Sequence, residues 1–395
     1  MRARNWLLSL ALPILAAVSV GIAVVVITGG GGQGGSAPSA LAAGFPPARL
    51  AAGDFTGATP ATPVVLSAIA ASGADEAVAG SAAGGPALWV SGDGGSGWRR
   101  AAKAPLSGAA GTDELTSVAH GAAGWLAVGG KVVVGSPTGT IWTREGGAPA
   151  PGAIASGAAA GSAGYVIVGH RGQDATASYA PGLTGWRRAV VAQAPGGQQS
   201  EMSAVAATGR GYAAAGGAGA NPATWVSAAG RSWQLSVLPL PAGAARATLT
   251  SVAASGTDVV AVGSAVSAAG QRWPFAEISA NAGASWTQAA LPVPVSGAGT
   301  ATVTALTAAG SGFTATGTYP VAGGSDVVVW TLPATAIPGG SWTAATPQGT
   351  GLSGASAQAI TALTSEGAEL TGVGFTTGKP GTPQQATIWS SPVRY

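Results

Sequence analysis

Residues 250–263 read Thr-Ser-Val-Ala-Ala-Ser-Gly-Thr-Asp-Val-Val-Ala-Val-Gly: an apolar run, a short turn around Gly256 and a second apolar run that stops at Gly263. Two short apolar runs across a tight turn are a β-hairpin. The same unit recurs along the chain. First runs are SAIA (67–70), TSVA (116–119), SAVA (203–206), TSVA (250–253), TALT (304–307) and TALT (361–364); in the third unit the run is weak, IASGAAAG (154–161). Second runs stop at Gly80, Gly129, Gly169, Gly216, Gly263, Gly317 and Gly374, with spacings of 40 to 57 residues. After each comes a variable loop and a later strand marked by Trp89, Trp142, Tyr179, Trp225, Phe275 or Ile278, Trp330 and Trp389. Most units then turn into a second aromatic residue, at Trp98, Trp186, Trp233, Trp286 and Trp342. Each unit is four short strands.

Composition agrees with this pattern. The 395 residues include 66 Gly and 26 Pro, with 47% hydrophobic and only 8% charged residues. So much Gly and Pro excludes long helices, and the apolar content excludes a disordered chain. A four-stranded unit cannot bury both faces alone, whereas seven around an axis bury each sheet against its neighbours. The fold class is therefore all-β: a seven-bladed β-propeller, with six blades and irregular ends as the alternative count. The Trp residues are expected to fill the wedges between sheets. The second unit has no Trp after Trp142, so its outermost strand should be short or missing. The last unit ends soon after its third strand, and residues 45–55 (FPPARLAAGDF) are the available segment to complete it, their prolines suiting an edge strand.

The N-terminus has its own character. Trp6 to Thr28 carry no charge, and 23 residues of helix reach about 35 Å, enough for a hydrocarbon core of about 30 Å. Residues 1–28 are read as a membrane signal-anchor, preferred over a cleaved signal peptide because the small-residue site Ala40-Leu41-Ala42 lies well past the apolar run. Arg2 and Arg4 place the N-terminus on the cytoplasmic side and the propeller outside. Residues 29–44 form a Gly/Ser/Ala tether, and 45–395 the propeller. With no Cys there is neither a lipid-modified cysteine nor a disulfide.

The formal net charge is +3, but setting aside Arg2 and Arg4 leaves 15 basic against 14 acidic residues. No basic run exists, so no nucleic-acid partner is expected. His120 and His170 without Cys cannot build a zinc site, no metal or cofactor is expected, and no nucleotide-binding or nucleophile-elbow motif is present.

Ser91, Asp93, Gly95 and Trp98 fit the pattern S-x-D-x-G-x-x-W, and Ser279, Asn281, Gly283 and Trp286 form a second, degenerate copy. This resembles the Asp-box, or BNR repeat, of sialidase-type propellers; the Gly-Gly pairs at 129–130 and 216–217 are also kelch-like. Both resemblances imply the same architecture. Physically the motif is a turn: the acid accepts backbone N–H groups and the Trp plugs the sheet. The sialidase resemblance would further imply three arginines for a substrate carboxylate, a Tyr/Glu nucleophile pair, an acid/base Asp and an F-R-I-P segment. The nearest stretch here, Phe45-Pro46-Pro47-Ala48-Arg49, does not match it, and Tyr165, Tyr179, Tyr212, Tyr319 and Tyr395 have no Glu partner in the sequence. No catalytic residues are assigned.

Scarce polarity gathers in the expected second-to-third-strand loops, 130–139, 170–176, 264–272, 318–326 and 375–385. His170, Arg171, Asp174, Arg272, Tyr319, Asp326 and Lys379 are the candidate ligand-binding residues, suited to a polar ligand or peptide. The reading is a membrane-anchored, extracytoplasmic binding or scaffolding protein of the cell envelope, with a protein or glycan partner. The alternative is a divergent exo-glycosidase of the sialidase type.

Overall fold

A computed structural model of the chain describes residues 64–392 except 102–113, 294–300, 348–351, 355, 368 and 378–383. The expected anchor (6–28), tether (29–44), closing segment (45–55) and Lys379 lie outside these residues. Among the described residues, no helix is long and apolar enough to cross a membrane.

The described chain forms seven antiparallel sheets, one per repeat. Blade 1 is β1 (Val65–Ser72), β2 (Asp75–Ala82), β3 (Gly85–Ser91) and β4 (Arg99–Arg100). Blade 2 is β5 (Ser117–Gly121), β6 (Gly124–Gly129), β7 (Val132–Ser136) and β8 (Thr143–Arg144). Blade 3 is β9 (Ile154–Gly161), β10 (Gly164–Arg171), β11 (Asp174–Ala180) and β12 (Arg187–Arg188). A short strand, β13 (Val190–Val191), then adds in parallel to the outside of blade 4, made of β14 (Ser200–Thr208), β15 (Gly211–Ala218), β16 (Asn221–Ser227) and β17 (Ser232–Val237). Blade 5 is β18 (Arg246–Ser255), β19 (Asp258–Val266), β20 (Arg272–Ser279) and β21 (Thr287–Ala290). Blade 6 is β22 (Thr302–Ala309), β23 (Gly312–Val321), β24 (Gly324–Pro333) and β25 (Thr343–Ala345), and blade 7 has three described strands, β26 (Gln358–Glu366), β27 (Glu369–Thr377) and β28 (Gln384–Pro392). The count is seven, not six.

The glycine that ends each second run has a steric cause. A Cβ built on Gly80, Gly129, Gly169, Gly216, Gly263, Gly317 or Gly374 would penetrate the backbone carbonyl oxygen of Val65, Glu114, Ile154, Glu201, Thr248, Thr302 or Ala359 on the innermost strand. That strand comes so close because it bulges. In six blades the ladder skips one residue there: Ser67, Ser156, Ser203, Thr250, Thr304 and Thr361. Blade 2 has Thr116 at the same place. All seven are Ser or Thr, and Ser156 brings the weak third repeat into line with the others.

Several of these hydroxyls tie one blade to the next around the axis. Thr116 Oγ1 donates to Ser156 O (3.1 Å), Thr304 Oγ1 to Ile360 O (2.5 Å) and Thr361 Oγ1 to Leu66 O (2.5 Å), while Ser67 Oγ donates to the Glu114 carboxylate. The Thr361 bond crosses from the last blade to the first. At the same seam, Thr371 Oγ1 donates to Glu76 Oε1 (3.3 Å) and the Gly73 amide to Glu366 Oε1 (3.2 Å), over an apolar cluster that holds Trp89, Trp98, Val373 and Ile388. Thr361→Val should therefore lower stability by about 1 kcal/mol in denaturant unfolding. Thr250→Val should cost less, because Thr250 Oγ1 reaches only Val262 O of its own blade, at 3.4 Å. Equal losses would show that the bond across the seam adds nothing.

The tryptophans fill the wedges as expected, with two corrections. Trp142 is not on a third strand. It occupies the turn into the fourth, where its indole N–H donates to Gly139 O (2.9 Å), just as Trp98, Trp186, Trp233 and Trp286 donate to the carbonyl three residues back. The second blade thus has its turn tryptophan, and its outer strand is short but present as β8. Register also separates the third-strand aromatics. Trp89, Trp225, Trp330 and Trp389 stand two residues beyond the partner of the repeat glycine; Val134, Ser178 and Glu277 hold that place in blades 2, 3 and 5. Tyr179 and Phe275 are buried or half-buried nearby on the same strands but out of that register.

Candidate functional site

Antiparallel blades put the second-to-third turns and the blade-to-blade connections on one face, called upper here, and the other turns on the lower face. The chain needs only two residues for most upper hairpins, which limits what they display. In blade 3, His170 and Arg171 close β10 and Asp174 opens β11, with Arg171 opposite Asp174 across Gly172-Gln173. The half-buried Arg171 stem lies over Gly152, 3.8 Å from where its Cβ would be, so the hairpin rests on the connection from blade 2. In blade 5, Arg272 opens β20 opposite Val266 and is exposed. In blade 6, Tyr319 faces Asp326: the phenol donates to Asp326 Oδ2 at 3.5 Å, and Oδ1 accepts the Gly354 amide at 2.9 Å. Burial pushes the Tyr319 phenol up, and Asp326 adds to the shift.

The described candidates thus stand on one face in three blades. The structure joins Tyr319 to Asp326 and puts Arg171 across from Asp174; among the described residues no hydrogen bond links the blade 3 group to the blade 6 group. The stretch 130–139 is not a loop. Gly130 and Lys131 make the second-to-third turn, Val132–Ser136 is β7, and 137–139 begin the turn into the fourth strand.

Beside the blade 3 hairpin lies an open cavity of about 400 Å³, lined by Ala175, Thr176, Arg188, Ala189, Val190, Val191 and Gln193. It forms because the chain leaves β11 at Ala189 to pair with blade 4. Gln193 seals the abandoned edge: its Nε2 donates to Ala175 O and Val191 O (both 3.0 Å), and its Oε1 accepts from Ser200 Oγ (3.0 Å). Ala175 N in turn donates to Ser200 Oγ (3.2 Å). The sequence reading missed this pair, whose signal would have been Gln193 alone among the apolar residues 189–195 and Ser200 opening the next first strand.

On the lower face, Ser91 Oγ donates to Asp93 Oδ1 (2.7 Å), the Gly97 amide donates to the same oxygen (2.8 Å), and the Gly95 amide donates to Ser91 Oγ (3.0 Å). The Ser91 bond, then the Gly97 bond, holds the Asp93 carboxyl below the usual range. Ser279, Asn281, Gly283, Ser285 and Trp286 repeat this geometry in blade 5. Both are turn devices: the serine hydroxyl and one oxygen of Asp93 or Asn281 accept local backbone N–H groups.

Burial perturbs groups elsewhere. Burial pushes Glu76 up to about 7, with Glu369, Asp93 and Glu366 adding to the shift against the Thr371 hydrogen bond. Glu76 is 6% exposed, and its Oε2 has no partner. Glu277, 2% exposed at the tryptophan register position of blade 5, is also raised by burial and accepts from Gln288 Nε2 (2.9 Å). Burial pushes the Tyr212 phenol up to about 12, and its hydroxyl donates to Gly164 O (2.8 Å). All three are in seams between or within blades. Among the described residues, no group of three or more His, Asp or Glu side chains is arranged to hold a metal ion.

No protein-family model matches the chain, and no curated protein matches it. Solved structures do. YCF48 bound to D1 peptide is 13% identical with a TM-score of 0.53, the match covering 84% of this chain and 93% of that one. The β-propeller domain of the Trilobed protease from Pyrococcus furiosus is 8% identical (TM-score 0.46, 84% and 95% covered), and the Trypanosoma rangeli sialidase 10% identical (TM-score 0.41, 83% and 54% covered). At such identities likeness speaks to fold alone. The first of them supports the propeller architecture.

Proposed function

We propose that the protein is a membrane-anchored, extracytoplasmic propeller of the Asp-box type that binds a partner in the cell envelope and performs no chemistry. The observation that carries this reading is where the perturbed groups sit. Enzymes place groups of shifted pKa in a cleft open to substrate. Here Glu76 and Glu277 are sealed in the wedges between sheets, and the hydroxyls of Tyr165 and Tyr212 are committed to the carbonyls of Gly124 and Gly164. The serine–aspartate turn of blade 1 and the serine–asparagine turn of blade 5, with their indole-to-carbonyl bonds, support the Asp-box assignment. Asp93 serves that turn, which leaves it unfit as an acid/base group.

The partner is expected on the upper face, where His170, Arg171, Asp174, Arg272, Tyr319 and Asp326 offer charge and hydrogen bonds; Lys379, outside the described residues, is proposed from sequence alone to join them. A protein or glycan surface suits them. The test is crosslinking of the full chain in its native membrane, followed by recovery through a tag after Tyr395. The triple variant H170A/R171A/Y319A should lose a crosslinked partner that the unaltered chain retains. An unchanged set of partners would sink the upper-face site, and hydrolysis of a fluorogenic sialoside by the purified chain would replace the binding reading with the glycosidase one.

A further inference from the structure

Counted from the turn tryptophan, the residue two places on is Arg100 in blade 1, Arg144 in blade 2 and Arg188 in blade 3. In blades 4 to 6 it is Leu235, Gln288 and Ala344. One place on, Arg99, Thr143 and Arg187 contrast with Gln234, Thr287 and Thr343. The five arginines are all exposed, on the outermost strands β4, β8 and β12. The outer strands β17, β21 and β25 carry no charge. Arg231, in the turn before β17, lies over the Tyr179 ring at 5.7 Å and extends the series to the border of blade 4. One arc of the rim is therefore basic and the opposite arc is neutral.

No carboxylate neutralises this arc on its own strands. Glu145 follows β8, but it is only 9% exposed and accepts from the Thr143 hydroxyl (3.4 Å). A second feature coincides with the charge. The most exposed large aliphatic side chains among the described residues, Val190 at 72% and Ile141 at 71%, belong to the same arc. Ile141 stands just before Trp142, and Val190 two residues beyond Arg188.

Guanidinium groups interleaved with protruding aliphatic side chains match a lipid interface, where Arg engages phosphate and the apolar tips enter the boundary between headgroups and acyl chains. We infer that the arc formed by Arg99, Arg100, Ile141, Arg144, Arg187, Arg188 and Val190 docks on anionic phospholipid, so that the propeller stands on its edge with blade 2 toward the bilayer. This rests on the anchoring reading proposed above. The tether expected over residues 29–44 would reach about 20 to 24 Å, and the first described strand after it, β1, belongs to blade 1, one end of the arc. The face presented to a partner is then turned sideways, along the membrane.

The chain has no Cys, so Ile141→Cys or Thr287→Cys can each carry a single dye. Full-length protein is mixed with vesicles of phosphatidylcholine, with or without phosphatidylglycerol, that bear a lipid-linked nitroxide quencher; flotation and quenching are read together. Flotation with both compositions, and quenching at position 141 several-fold stronger with phosphatidylglycerol and unchanged at 287, is the expected result. R100A/R144A/R188A should abolish the difference without changing thermal unfolding. Flotation without any composition-dependent quenching overturns the docking and leaves the anchor. Flotation with phosphatidylglycerol vesicles alone supports the docking and overturns the anchor, and flotation with neither overturns both. Retention of inorganic polyphosphate with no response to phosphatidylglycerol would assign the arc to a soluble polyanion, overturning a lipid face.

Discussion

Replacing Gly263 by alanine should destabilise the fold by about 3 kcal/mol or more, near the top of the range for forcing an extra methyl into a packed interior. The obstacle is backbone: the new Cβ would meet the Thr248 carbonyl oxygen and lie 2.7 Å from Leu249 Cα. A flexible side chain could swing away, but a bulged strand held in its ladder cannot. Gly256→Ala provides the control. Gly256 has φ of +61° and nothing within 4 Å of a Cβ, so alanine there meets only the left-handed strain of about 1 kcal/mol. Denaturant unfolding of the two variants should separate them by at least a factor of two in lost stability. If they lose the same amount, the close approach of the inner strand does not dictate the glycine.

The second large effect concerns pH. A carboxyl whose pKa is raised on folding contributes stability below its ordinary value and loses it as pH rises through the folded value. For Glu76, raised from 4.5 to about 7, the loss falls between those two pH values and then levels off. The shift corresponds to about 3 kcal/mol at full burial. Glu76→Gln keeps an acceptor for the Thr371 hydroxyl and cannot ionise. The variant and the parent should therefore match near pH 4.5, and the variant should be more stable at pH 8 by up to about 3 kcal/mol in parallel denaturant titrations. A parent that is the more stable at pH 8 would mean that the ionised carboxylate has found a partner, and the account of the seam would be wrong.

How much of this could be read in advance differs between fold and site. The repeat glycines and the Ser/Thr that opens each first run were legible because they obey a geometric necessity in every blade. The third repeat looked weak only because its apolar run is diluted by Ser156 and Gly157, while the bulge position itself is intact. Trp142 was misplaced because aromatic content alone does not distinguish a third strand from the turn after it; the decisive feature is the indole bond to Gly139, which only register reveals. Val132–Ser136 reads as loop in the sequence because its hairpin has a two-residue turn and no aromatic marker. The upper-face residues are expected in second-to-third-strand loops; the described ones stand on the ends of second and third strands instead, because most of these hairpins turn in two residues and leave little loop. What they bring together depends on side-chain contacts between elements far apart in sequence, as when Gly354 meets Asp326. The arginine arc is hidden because its one or two arginines per blade are separated by about one repeat and form no long run.

The circumferential hydroxyl bonds near the axis have a consequence for how such a chain can change. A wheel whose spokes are fastened at the hub tolerates an incomplete tyre. With Thr361 of the last blade bonded to Leu66 of the first, the seam is fastened at the hub, and β4, β8 and β12 are only two residues long each. The perimeter of those blades carries a small share of the ladder. Substitutions can accumulate there, and a set of arginines can be gathered on one side, at little expense to the architecture.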